Sequence, residues 1–161
     1  MSTSTPGELD VHQRWFAKLM ADPDRCGWII TSGADPVGFL LLSGLHGGHR
    51  RAEWGWYIGE AKARGRGAGR AAQALGLDRA FHELELDRIW SEVLADNDVA
   101  LRAQAAAGFR REGYLRAHVR KEDRVHDVVV LGILKEEWNA RRTAVWEGLA
   151  RSGLSAPRFP V

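Results

Sequence analysis

The sequence predicts a mixed α/β fold, a sheet flanked by helices with an anion-binding turn directly after its central strand. Two observations predict it. Along the chain the hydrophobic period switches between two residues and about 3.6, in the order helix, three strands, helix, strand, helix, two strands. Arg64-Gly65-Arg66-Gly67-Ala68-Gly69-Arg70 then stands between a strand-like run ending near Gly59 and a helical run through Leu84. Its alternate glycines remove side chains where the backbone turns. The helix formers that follow bring unpaired amides and the positive end of a helix dipole to one point. Arg64, Arg66 and Arg70 add positive charge there, which suits a phosphate.

At 161 residues, 45% hydrophobic and 27% charged, the chain can bury a sizeable core as one domain. We place that domain over residues 1–138, with a C-terminal helix and tail over 139–161. The formal charge is only +2 and acids and bases are interspersed, so the pI of 9.0 does not call for nucleic acid. Cys26 is the single cysteine, which precludes an internal disulfide and suits a reducing compartment. No apolar run approaches a membrane span and the first seven residues are polar, so a cytoplasmic protein without a membrane partner is expected.

Taken in order, Thr5-Pro6-Gly7-Glu8 has capping-box spacing with Pro at the first helical position. Leu9, His12, Phe16, Leu19 and Met20 recur at helical intervals, predicting a helix over residues 6–21 that Asp22-Pro23-Asp24 stops. Runs 26–31 and 37–43, joined by Ser32-Gly33-Ala34-Asp35-Pro36, read as a hairpin. Over 52–59 alternation puts Ala52, Trp54, Trp56 and Ile58 on one face, and Glu53, Gly55 and Tyr57 on the other. A helix to about Leu86 follows, striped by Ala71, Ala74, Leu77, Phe81 and Leu84. Residues 88–95 form a strand with Glu92 on the face of Trp90 and Leu94. Asp96-Asn97-Asp98 starts a helix that Gly108 ends. Strands 109–120 and 124–134, with Val125, Val129, Leu131 and Ile133 prominent, form a second hairpin. A last helix over 136–151 uses Trp138, Val145 and Leu149, and a loose tail follows from residue 152.

Three known phosphate turns could account for the glycine stretch. A Walker loop needs Lys then Ser or Thr after the last glycine, where Arg70-Ala71 stands. Gly67-Ala68-Gly69-Arg70-Ala71-Ala72 fits the dinucleotide pattern, but that fold needs more strand–helix–strand units than follow here. The third is an Arg/Gln-x-x-Gly-x-Gly/Ala turn between a central strand and a helix, which Arg64 to Gly69 matches. Against all three stands a glycine-rich turn with solvated arginines.

The element order, the Arg64 to Gly69 turn, Ala52-Glu53-Trp54-Gly55 before it, and Asn97-x-x-Ala100, Gly108-Phe109 and Glu112-Gly113 after it together resemble the GNAT superfamily of acetyl-CoA-dependent N-acetyltransferases. Within it the chain is similar to the ribosomal-protein-acetylating type and, through Trp54 to Gly59, Glu92 to Asn97 and residues 127–138, to the sugar-nucleotide branch of pseudaminic acid synthesis. The resemblance implies a mostly antiparallel sheet with splayed central strands. It also implies a further strand and helix ahead of the segment at 8–20, for which this chain has no residues. Acetyl-CoA is the implied acyl donor, held by Tyr57 and Ile58, by Arg64, Gly65, Arg66, Gly67, Ala68, Gly69 and Arg70, and by Asn97. No metal is implied, and His46-x-x-His49 lacks convergent ligands.

The implied chemistry is direct attack of a primary amine on the thioester. Glu92 is the first candidate for a base acting through water, and Glu53 is a second. The family's tyrosine acid falls seven positions after the helix-opening Asn, and here that position is Gln104, which can donate a hydrogen bond but not a proton. His46, Trp54 and Arg50 are the candidate acceptor contacts, with Arg51 and Arg116 tilting the choice toward an amino sugar or nucleotide-linked amino sugar. The alternatives are the amino terminus of a protein such as a ribosomal one, and a non-catalytic acyl-CoA-binding module. A homodimer is compatible with the short N-terminus.

Overall fold

In a computed structural model, which describes residues 6–121 and 123–153, one six-stranded sheet runs in the order β1-β2-β3-β4-β6-β5. Helix α1 (Pro6–Ala21) spans the expected residues. The Thr5 cap, the tail from residue 154 and the side chains of Leu9, His12 and Met20 lie outside the described residues. β1 (Arg25–Ser32) and β2 (Asp35–Ser43) form the first hairpin, and β3 (Arg51–Ile58) pairs with β2. Burial alternates along β3 as predicted, with Ala52 and Trp54 inside and Glu53, Gly55 and Tyr57 outside.

A 3₁₀ turn (Ala61–Ala63) and the glycine stretch lead into α2 (Ala68–Asp78), which ends in a π turn over Arg79–Glu83. There the Leu84 N–H reaches the Arg79 carbonyl at 2.9 Å, five residues back. The extra residue rotates everything after it by roughly 100° relative to an α-helix. Phe81 stays fully buried, but Leu84, expected on the core stripe, is exposed, and Leu86 packs inward in its place.

The chain continues through β4 (Arg88–Leu94), α3 (Asp98–Ala107), β5 (Arg110–Lys121), β6 (Arg124–Leu134) and α4 (Lys135–Arg151). Asn97 caps α3 by accepting the Ala100 N–H, and Gly108 ends it with φ 111°. In the β5–β6 hairpin Val129, Leu131 and Ile133 are buried, whereas Val125 lies beyond a bulge and is exposed.

Helix α4 continues through position 138 without a break. Trp146 and Leu149 join the core formed by Leu77, Phe81 and Trp138. Trp138, Arg142 and Trp146 are spaced four apart, so they share one helix face. All three donate to the carboxylate of Asp78, a buried residue at the end of α2, at 2.7–3.0 Å. No helix among the described residues is long and apolar enough to cross a membrane.

β3 and β4 are the sheet's parallel neighbours, and their pairing is short. It covers Arg51 with Arg88, Ala52 with Ile89 and Glu53 with Trp90. Beyond Glu53 the strands part, which is the expected splay. The gap opens toward the end of β3 that enters the glycine turn.

Candidate active site

On the helix side of this gap lies a cavity of about 290 Å³, bordered by Trp56, Gly67, Arg70, Gln73, Ala103 and Val145 among others. Gly65 and Gly67 hold φ at 72° and 87°, a region that side chains disfavour. At Gly69 an added Cβ would stand 3.0 Å from the Trp56 ring, so glycine is what lets α2 begin against β3. Gln73 is 2% exposed, and its Nε2 reaches the Ala103 carbonyl at 3.5 Å while its Oε1 has no hydrogen-bond partner. A buried acceptor without a donor is costly, and an incoming N–H would satisfy it. The amides of the turn suit a pyrophosphate, and the gap with its orphaned acceptor suits a narrow chain carrying amide N–H groups. Both belong to acetyl-CoA, so these residues fit the expected donor.

The arginines of the turn divide. Arg64 donates from Nε to the Ile58 carbonyl at 2.9 Å and from Nη2 to Gly59 at 3.2 Å, so its guanidinium braces the end of β3 rather than reaching for a phosphate. Arg66 and Arg70 are exposed and form no ion pair among the described residues. Ala68 opens α2, and Asn97 spends its side-chain oxygen on its cap. Past Glu53 the backbone of β3, including Tyr57 and Ile58, has no β4 partner.

On the opposite face, parallel register puts Glu53 on the side of Trp90 and therefore of Glu92. Burial, and after it the charge of Glu92, pushes the Glu53 carboxyl above its ordinary value. Glu53 thus stabilises the fold more as an acid, a contribution fully present below its unfolded value and lost as pH rises through the raised folded one. Glu53→Gln should therefore gain in urea midpoint relative to wild type on going from pH 4 to pH 7.5. A difference that stays constant over that range would contradict the placement.

Sequence reasoning missed a third group on this face. His118 of β5 brings Nε2 to 3.5 Å from the Glu92 Oε2, and no local pattern announces it, because an irregularity in β5 aims it.

Two expected site residues are drawn into the core. Gln104 is buried, and its Oε1 accepts from Ser91 Oγ at 2.6 Å and, more distantly, from Trp54 Nε1 at 3.5 Å. Trp54 stacks on Phe109 with ring centroids 5.0 Å apart. Trp54 therefore faces the helices, not the carboxylates. His46 and Arg50 precede the closed, paired end of β3. The His46 N–H donates to Asp24, and the Arg50 Nε lies 2.8 Å from Asp87. Neither is brought to the gap. Among the described residues no three potential ligands gather for a metal.

A family model described as the acetyltransferase (GNAT) domain matches residues 1–110. This chain belongs to the GNAT acetyltransferase family. Among GNAT relatives, YdaF of Bacillus subtilis, which carries the name of a ribosomal N-acetyltransferase, is 29% identical over 78% of this chain and 62% of its own. The chain spans 53–62% of the curated relatives it matches. A mutant of the spermidine N-acetyltransferase SpeG from Vibrio cholerae is similar with TM-score 0.74 and 25% identity, covering 82% of this chain and 78% of that one. The Vibrio cholerae spermidine N-acetyltransferase in complex with CoA and spermine shares the fold at TM-score 0.73 and 24% identity, over 86% of this chain and 80% of that one.

Proposed function

We propose that this GNAT protein transfers acetyl from acetyl-CoA to a primary amine on a cationic acceptor, either a polyamine or the amino terminus of a protein. The carrying observation is the placement of Glu53 and Glu92 on the face of the sheet away from α2, beside the gap between β3 and β4 and opposite the glycine turn and Gln73. Two carboxylates attract an ammonium group and repel a phosphorylated sugar. Of the arginines that favoured a sugar nucleotide, Arg50 is held by Asp87 and the charge of Arg116 bears on Asp127, while Arg51 shares the face of Glu53 but stands at the paired end of β3, away from the gap.

Acetyl-CoA supplies the activated acyl group. The amides of Gly67 to Gly69, with Arg66 and Arg70, would hold its pyrophosphate, and Gln73 Oε1 would accept an amide N–H of its pantetheine arm. Unpaired N–H groups of β3 beyond Glu53 are available to polarise a carbonyl. Glu92 has the position to take the acceptor's proton through water, with Glu53 helping to hold the ammonium.

The test is thermal shift with acetyl-CoA followed by CoA-thiol release with spermidine, a peptide with a free amino terminus, and a UDP-linked 4-amino sugar. At one hundred times the dissociation constant, acetyl-CoA should add ~2.7 kcal/mol, and each kcal/mol is worth roughly 2–4 °C for a domain of this size. Gly67→Val, forced onto a left-handed backbone at the mouth of the turn, should abolish that shift. Release with spermidine or the peptide supports the reading. Release with the sugar alone overturns the cationic acceptor, and binding without release from any amine leaves an acyl-CoA-binding module.

A further inference from the structure

His118 owes its position to a break in β5. Pairing with β6 runs through Leu115 opposite Val128 and resumes at Val119 opposite His126, so Arg116, Ala117 and His118 bulge against the single residue Asp127. Ala117 adopts φ 51°, a left-handed conformation that residues with a Cβ rarely take. Asp127 holds the bulge, its Oδ1 accepting the Ala117 N–H at 2.7 Å and its Oδ2 accepting the Tyr114 hydroxyl at 2.6 Å. Such bulges re-aim side chains, and this one delivers a half-exposed imidazole to Glu92.

We propose that His118 is the terminal proton acceptor of this site, receiving through Glu92 the proton that the acceptor ammonium must lose and passing it to bulk water. This rests on the acetyl-transfer reading above. An alkylammonium becoming an amide gives up two protons. One must depart before the nitrogen lone pair can form the N–C bond, and the other ends on the sulfur released when the C–S bond breaks. Only the first needs an exit to solvent. A carboxylate is a weak base and a poor final station for it, whereas an imidazole is the stronger base and the side chain suited to exchanging protons with water. Glu92 sits nearer the gap, and His118, with its side chain 45% exposed, reaches water. A separation of 3.5 Å is long for a hydrogen bond, as catalytic contacts without bound substrate often are.

The neighbouring groups leave this pair intact. Glu53 on β3 lies on the Glu92 side, Asp127 on β6 is tied to the bulge, and His126 on β6 pairs with Asp96 at 3.2 Å. Arg116 and Arg120 are exposed on His118's own strand.

The experiment compares wild type with His118→Gln, using whichever amine of the panel turns over, from about pH 5.5 to 9 across the imidazole range. Wild-type kcat should rise with pH through a limb in that range. The variant should lose the limb, fall roughly 10²-fold in kcat near neutrality, keep its thermal shift with acetyl-CoA, and regain rate with added imidazole. A variant that retains the limb and stays within about two-fold of the wild-type rate overturns the proton exit alone. A wild type that binds acetyl-CoA yet acetylates none of the amines overturns the transfer reading, and this inference with it.

Discussion

Asp78→Ala is expected to lower the thermal midpoint by roughly 6–12 °C, the largest stability effect of any single substitution considered. The Asp78 carboxylate is 1% exposed and receives four hydrogen bonds, one from each of the Trp138 and Trp146 indoles and two from Arg142. Removing it leaves two indole N–H groups buried without acceptors and a guanidinium without its counter-ion. Breaking a buried charged pair costs about 3–5 kcal/mol. Arg142 is partly exposed and can turn to water, which puts the cost at ~3 kcal/mol. At roughly 2–4 °C per kcal/mol, that yields the stated range. Asp78→Asn, which retains an acceptor but loses the charge, should fall between the two. A midpoint within about 2 °C of wild type for the alanine variant would mean that α4 is not pinned to α2 through this residue.

Glu92→Gln should have the largest effect on rate. It should lower kcat by about 10²–10⁴-fold, the usual contribution of a positioned general base, with the acetyl-CoA thermal shift unchanged. Glutamine keeps the size of the side chain and one acceptor oxygen but cannot take a proton. Because Glu92 faces away from α2 while the cavity at the glycine turn is lined by α2, α3 and α4, donor affinity and rate should separate cleanly. Loss of acetyl-CoA affinity in this variant would place Glu92 in the donor site instead. Undiminished turnover would remove it from the chemistry.

Much of the architecture was legible because it is local. Period-two burial along β3, the Asn97 cap, the Gly108 stop and the glycine turn are each set within a few residues. The expected helices and strands accordingly lie within one or two residues of those observed, except that the helix expected to reach about Leu86 ends with its π turn at Glu83. The errors came where a local rule met a non-local event. The π turn at Arg79–Glu83 displaced Leu84 from the stripe, and the bulge in β5 turned His118 toward Glu92, which no local alternation announces. The Trp138, Arg142, Trp146 spacing was visible in the sequence, but its meaning required knowing that α4 crosses the end of α2.

By itself the sequence determined the order of elements and the glycine turn after β3, because backbone sterics and hydrophobic period act over short separations, while the splay of β3 from β4 was legible only through the family resemblance. Only the tertiary structure decided which polar side chains are left beside the gap between β3 and β4 and which serve the fold. It spent Arg64 on the carbonyls that end β3, Gln104 on Ser91 and Trp54, and Arg50 on Asp87, and it brought Glu53, Glu92 and His118 together from three strands. The reason is that a side chain's partner depends on strand register, on where β3 and β4 part and on one strained bulge. Those are relations between segments far apart in the chain, and no single stretch of it records them.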